Sequence, residues 1–313
     1  MLDRLEMFIA LANERHFGRA AEAHGVTQPA LSAAIRALEG DLGVQLVRRG
    51  ARFQGLTPEG ERVLDWARRI VADSRQMRDE MRARRKGLTG RLRLGVIPTA
   101  LPMVAELVTP FLRRHPNLSL QILSRTSIEI LEEMQSLQLD AGVSYLDNEP
   151  LGRVSTVALY RESYRLLLRH DHPLAGARRV RWADLAGLRL CLLIGSMQNR
   201  RIIDRHLAEA GVSVQAAVES NSLLALVSQV LGGDWATVVT EQAARMFGNR
   251  ADLVALPIEA APGTDPRAAP QVGLIAPWRE THTPVLAALI EAAERLTGQR
   301  EAARQRPPEG GNV

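Results

Sequence analysis

The residues of this chain best suited to recognition chemistry fall into two sets. The first is Thr27, Gln28, Pro29, Ser32, Ala33 and Arg36. At helical spacing they share the face opposite the apolar stripe Leu31, Ile35, Leu38 and Leu42. Gln28 offers a donor and an acceptor to an adenine edge. Ser32 can bond either base type, and Pro29 and Ala33 suit a thymine methyl. Arg36 and a helix N-terminus at Thr27 suit phosphate. The second set is Thr99, Thr126, Ser127, Ser196, Met197, Gln198 and Thr240, each where a strand-like run gives way to a helix-like one. Hydroxyls at helix N-termini favour a small anion such as a carboxylate. Ordinary N-capping explains any one of them taken singly.

Neither set is catalytic in type. His170-Asp171-His172 lies beside Pro173 with no CxxC or third ligand close in sequence, which reads as a solvated loop rather than a metal site. Gly195-Ser196 lacks the second glycine of a nucleophile elbow. Lys86, the only lysine, precedes the nearby glycines and so cannot serve a phosphate loop. The expectation is no enzyme, no catalytic residues, no cofactor and no metal. The single cysteine, Cys191, sits in the apolar run Leu190 to Ile194 and reads as a buried strand residue. One cysteine allows no intrachain disulfide, which fits a reducing compartment. No apolar run approaches the ~20 residues of a membrane span, and the first residues mix both charge signs without a signal-type core. A cytoplasmic protein without a membrane partner is expected.

The elements that position the first set come from residues 1–90. Leu5, Phe8, Ile9 and Leu11 predict a helix over about 2–14, and Phe17, Ala20 and Ala21 a short second one ending at Gly25. Thr27 is a good N-cap for the third, with Pro29 tolerated in its first turn. Two short helices about a Gly-containing turn make a helix-turn-helix, whose exposed N-terminal face would lie in a major groove. A plain three-helix packing unit is the bland alternative. Leu46/Val47 and Phe53/Leu56 then flank a basic turn, reading as a two-stranded wing tipped by Arg48, Arg49 and Arg52. Residues 1–90 hold 16 Lys+Arg against 12 Asp+Glu, and the other 223 hold 24 against 23, so the basic excess lies with the helices.

Thr57-Pro58-Glu59 opens a helix that runs to Lys86. Val63, Ala67, Ile70, Ser74, Met77 and Met81 repeat at alternating intervals of four and three, a heptad seam. At 1.5 Å per residue the helix is roughly 43 Å long, more than one small domain covers. A second copy of the chain is the natural cover. Gly87–Gly90 forms a hinge.

The segment Phe17 to Gly50, followed by Leu56-Thr57-Pro58-Glu59-Gly60, resembles the N-terminal signature of LysR-type transcriptional regulators. The match is carried by Ala20-Ala21, Thr27 to Ser32, Ile35, Leu38-Glu39, Leu42-Gly43 and Arg48/Arg49. Two departures stand out. Val47 replaces the family's usual Phe, and Ala33 replaces a residue that is often a base-reading Arg. The second leaves more of the sequence preference to Gln28 and to DNA deformability.

Beyond Arg91 the pattern alternates strands and helices: Leu92/Leu94/Val96, then Val104/Leu107/Val108/Phe111, then LSLQIL, a helix over 127–137 and AGVSYL. That is βαβαβ, and a second such set follows. The helices of the second set are read at 199–210, 221–231 and 241–247, and a last helix at 283–296 returns to the first. The expected fold is an α+β multidomain chain. It has a winged helix-turn-helix (1–57), a linker and dimerisation helix with hinge (58–90), and a periplasmic-binding-protein-like effector domain (91–300). Lobe I takes about 91–161 and 268–300, lobe II about 162–267, and 301–313 form a disordered tail. The resemblance implies effector binding at Thr99, Thr126 and Ser196. The expected partners are double-stranded DNA, a small, anionic effector, a second or further copies of the chain as dimer or tetramer, and RNA polymerase. A solute-binding protein with a helical dimer arm is the alternative, and an α/β enzyme with a regulatory head is a weaker one.

Overall fold

A computed structural model describes residues 1–48, 50, 53–147, 150–247, 250–260 and 265–305. The chain forms two bodies: a head of residues 1–89, to which 135–138 and 281–284 also belong, and a larger body made of the rest from Gly90 on. In the head, α1 is Leu2–Glu14, α2 Phe17–Ala23, α3 Gln28–Leu42 and α4 Pro58–Lys86. His16 caps α2, its Nδ1 accepting from the amides of Gly18 and Arg19. After α2 the chain turns at Gly25, whose φ of 68° lies in the left-handed region where glycine carries no Cβ penalty. The Val26 amide then bonds the Ala21 carbonyl, satisfying a helix end. Thr27 caps α3 by accepting from the Ala30 amide.

The head's core gathers Leu5, Phe8 and Leu11 of α1, Ala20 and Ala21 of α2, Leu31, Ile35 and Leu38 of α3, and Leu64, Ala67 and Val71 of α4. Leu42, expected in the α3 stripe, is 41% exposed because the helix stops there, and Leu46 fills the core instead. Among the described residues of the wing, one antiparallel bridge joins Val47 to Leu56, flanked by bonds from the Arg48 amide to the Gly55 carbonyl and from the Thr57 amide to the Leu46 carbonyl. The Glu39 carboxylate fixes its base by accepting from the amides of Leu46 and Val47. Gly60 lies against this base so closely that a Cβ would fall 2.1 Å from the Leu46 carbonyl oxygen.

The body holds two sheets. Its strands and helices are β1 Gly90–Val96, α5 Leu101–Arg114, β2 Leu118–Ser124, α6 Ser127–Gln135, β3 Ala141–Tyr145 and β4 Val154–Arg161. Then come β5 Tyr164–Arg169, β6 Val180–Arg181, β7 Leu190–Leu193, α7 Gln198–Glu209, β8 Val218–Ser220, α8 Leu223–Gly232, β9 Ala236–Thr240 and α9 Glu241–Phe247. The last three are β10 Leu253–Glu259, β11 Gln271–Pro277 and α10 Pro284–Gln305. One sheet runs β2-β1-β3-β11-β4, the other β6-β10-β5-β9-β7-β8.

Each sheet contains a parallel βαβαβ unit in the order second, first, third: β2-β1-β3 and β8-β7-β9. The chain crosses between sheets twice, after β4 at Glu162 and again between β10 and β11. β4, which pairs with β11 along its length, escapes the sequence reading because its burial does not alternate cleanly. The C-terminal helix also corrects the expectation. It continues through Gln305, so residues 301–305 are helical rather than a disordered tail, and 306–313 lie outside the described residues. Thr297 and Arg300 anchor it, bonding the carbonyls of Ala158 and Leu159, and Arg300 also pairs with Glu106 at 2.8 Å. Ala, Glu, Arg and Gln then carry it on as good helix formers.

Candidate functional site

On the head, α3 presents the first residue set together. Thr27, Gln28, Pro29, Ala33 and Arg36 are exposed, and Ser32 is half-buried beside them. The stripe Leu31, Ile35 and Leu38 on the far side is almost wholly buried, so the orientation of the polar face is fixed by packing. Arg48 is exposed at the wing, where its Nε donates to the Leu56 carbonyl and its amide to that of Gly55. Arg49 and Arg52 lie outside the described residues. A helix N-terminus with exposed amide and hydroxyl groups and flanking arginines matches what base edges and phosphates require.

The α4 set divides. Ala67 is buried in the head's core, and Val63 packs partly against it. Ser74 is half-buried. Ile70, Met77 and Met81 stand exposed, joined by Trp66 at 61%. One side of the helix therefore serves its own head, and a neighbouring apolar row has no cover within the described residues.

In the body, an open cleft of about 810 Å³ lies at the carboxyl ends of the parallel strands. Such ends are where open α/β sheets bind ligands. Of the second set, Thr126, Ser196 and Met197 line it. Most of its wall is apolar: Leu101, Pro102, Met197, Leu224, Met246 and Phe247. Its polar groups are unevenly committed. The Thr126 amide and hydroxyl both donate to the Glu129 carboxylate, at 2.8 and 2.9 Å, so the α6 N-terminus already holds an anion. Arg125 is paired with Glu133 at 2.6 Å. By contrast, α7 begins at Met197 without a side-chain cap, beside the exposed Ser196.

Thr99, Ser127, Gln198 and Thr240 do not line this cleft. All four are buried. Gln198 accepts from the Arg201 guanidinium. Thr99 and Thr240 join a buried cluster behind the cleft that spans both lobes. Thr240 donates to the Thr99 carbonyl at 3.5 Å, and the Thr99 hydroxyl lies 3.4 Å from that of Tyr145. Tyr145 donates to Glu162 Oε2 at 2.9 Å and accepts from Asn199 at 3.2 Å. Tyr164 donates to the same carboxylate oxygen at 3.1 Å. Burial pushes the Glu162 carboxyl up to about 7, against the hydrogen bonds from Tyr145 and Tyr164 that favour its charged form. Sequence reasoning missed Tyr145, Glu162, Tyr164 and Asn199. Their available signals were the strand-end position of Tyr145 and an acid set between two tyrosine-bearing strands.

Cys191 is fully buried in β7, and burial pushes its thiol above the ordinary range. The described residues contain no helix long and apolar enough to cross a membrane and no metal-holding group of His, Cys, Asp and Glu.

A helix-turn-helix head on a two-lobed α/β ligand-binding body defines a class: DNA-binding proteins with a sensory domain. The family models agree. The "Bacterial regulatory helix-turn-helix protein, lysR family" model matches residues 2–61, and the "LysR substrate binding domain" model matches 85–297. The chain belongs to the LysR-type family of DNA-binding transcriptional regulators, and its relatives are regulators rather than enzymes. It is 34% identical over 253 residues to the Mycobacterium avium protein named "Probable hydrogen peroxide-inducible genes activator", covering 80% of each chain. It is 31% identical to the "DNA-binding transcriptional dual regulator OxyR" of Escherichia coli, covering 81% of this chain and 83% of that one. Among solved structures it resembles a full-length OxyR variant from Pseudomonas aeruginosa. That match has a TM-score of 0.71 and 26% identity, and it covers 95% of this chain and 94% of the other.

Proposed function

We propose that this regulator binds a small organic acid with an apolar body in the cleft of its two-lobed domain, and that binding alters how the head engages DNA. The cleft carries the reading. Its volume of about 810 Å³ and its mainly apolar wall suit a metabolite-sized ligand. The apolar body would lie against Leu101, Pro102, Leu224, Met246 and Phe247. The anionic end would take Ser196 and the uncapped N-terminus of α7, because Glu129 already occupies that of α6. Thr27, Gln28, Ser32, Ala33 and Arg36 would face the major groove, with Arg48 on phosphate. Ile70, Met77 and Met81 of α4 would meet a second copy in a homodimer or homotetramer. The protein would act in the cytoplasm, where DNA and RNA polymerase are reached directly.

A second reading, response to peroxide, is favoured by the printed names of the relatives. On this chain it meets one cysteine, buried in a strand, with no second thiol for an intrachain disulfide. Thiol oxidation proceeds through an accessible thiolate. A thermal-shift screen of small aliphatic and aromatic carboxylates tests the first reading. At least one should raise the melting temperature of the parent protein. Ser196→Ala should weaken that shift, and Leu224→Glu, which puts a negative charge into the cleft, should remove it. A screen without a single shift would overturn the reading.

A further inference from the structure

The buried cluster behind the cleft is more than packing. Each βαβαβ unit, ordered second, first, third, has its strand order reverse beside its first strand. At lobe I's reversal stand Thr99, just after β1, and Tyr145, the last residue of β3. At lobe II's stand Asn199, in the first turn of α7, and Thr240, the last residue of β9. Both pairs converge on the crossover between the sheets, where Glu162 receives the phenols of Tyr145 and Tyr164 on one oxygen. Its other oxygen, Oε1, meets no hydrogen-bond partner among the described residues. The neighbours of Thr99 and Asn199, Pro98 and Leu101 on one side and Ser196 and Met197 on the other, line opposite walls of the cleft. The position of each wall is therefore tied to this one carboxyl group.

The charges around Glu162 do not neutralise it. Tyr145, Tyr160 and Tyr164 surround it from β3, β4 and β5, and burial holds all three phenols well above their usual range. Glu106 of α5, Arg161, Glu241 and Arg245 of α9, and Arg300 of α10 share the cavity it borders. Those charges are paired elsewhere: Arg300 with Glu106, Arg161 with Asp147, and Glu241 with Arg165 and Arg245. Glu162 forms no ion pair among the described residues. An unpaired buried carboxylate is costly, whereas the protonated acid is tolerated.

We propose that Glu162 is a proton-binding positioning residue at the hinge of the two lobes. Protonated, it holds Tyr145, Thr99 and Asn199 together and keeps the lobes closed. Ionised, it drives them apart until water reaches it. The sign follows from linkage. In the closed state burial outweighs the phenol hydrogen bonds and the carboxyl titrates near 7, while a hydrated carboxyl titrates near 4.5. The closed state therefore holds the proton more tightly. The closing equilibrium constant falls by about tenfold per pH unit between about 4.5 and 7, and changes little below or above that window. The consequence for effector binding rests on the reading of the cleft given above, but the lobe movement is measured without a ligand.

The test uses the full chain with Glu132→Cys in lobe I and Arg205→Cys in lobe II, both exposed positions, spin-labelled while Cys191 stays buried. Excess unlabelled chain leaves one labelled copy per assembly. Pulsed electron resonance should show a short lobe-to-lobe distance at about pH 4.5 that gives way to a longer one with a midpoint between about 4.5 and 7. Glu162→Gln, a neutral stand-in for the acid, should stay short throughout. Tyr164→Phe removes a hydrogen bond to the charged form and should move the midpoint upward. An infrared band of a protonated buried carboxyl should titrate with the same midpoint and be missing in Glu162→Gln. A parent distance that ignores pH, or the same pH response in Glu162→Gln, would overturn the proposal. Failure of the carboxylate screen would leave these distances untouched, so the two readings fail separately.

Discussion

Gln28 and Arg36 sit within three turns of each other on α3, yet their predicted roles differ in kind. Gln28 can bond a base edge in two places, so Gln28→Ala should cost about 1–3 kcal/mol of discrimination between target and random DNA. Arg36→Ala should weaken both equally and lower the slope of affinity against salt by about one counterion. Fluorescence anisotropy on target and scrambled duplexes at several salt concentrations separates the two. The side chains of this face were legible in sequence because a single helix brings them together. Thr126 and Ser196 were legible too, since strand ends can be read from local pattern. Tyr145 and Glu162 were not. They are 17 residues apart, and Asn199 is 54 from Tyr145, so only the sheet order unites them.

At the scale of elements, α4 shows why a heptad pattern identifies a helix better than its neighbours. Leu64, Ala67 and Val71 face the head, while Trp66, Ile70, Met77 and Met81 form the exposed row beside them. The two rows are one residue apart, and periodicity alone cannot say which one a second copy covers. Ile70→Asp with Met77→Asp should reduce the assembly size in sedimentation while the helical circular dichroism of the head persists. Gly60→Ala should destabilise the head by about 1–3 kcal/mol, the range for overpacking. The Leu46 carbonyl that it meets is backbone and cannot swing aside. Chemical denaturation of this variant against the parent measures the loss. At the base of the wing, side-chain bonds from Glu39 and Thr57 add to the antiparallel pairing of Val47 with Leu56.

Across the whole molecule, the buried carboxyl at the crossover makes stability depend on pH. The Glu162 carboxyl is raised to about 7 in the folded chain, above its ordinary value near 4.5. Its contribution is then fully present below about pH 4.5 and lost as pH rises through about 7. Glu162→Gln should therefore melt above the parent at about pH 8 and near it at about pH 4.5. On the proposed reading, the same architecture would link sensing to DNA. Two lobes share a cleft, and the head that reads DNA is joined to them through α4 and the turn at Gly87–Gly90. The most direct test of this account is a footprint on the DNA upstream of the coding region. It would be run with the parent protein alone, with the carboxylate that most raises its melting temperature, and with hydrogen peroxide. The account predicts that the carboxylate changes the protected boundary or the affinity and that peroxide changes neither. A footprint that responds to peroxide and to no carboxylate would contradict it.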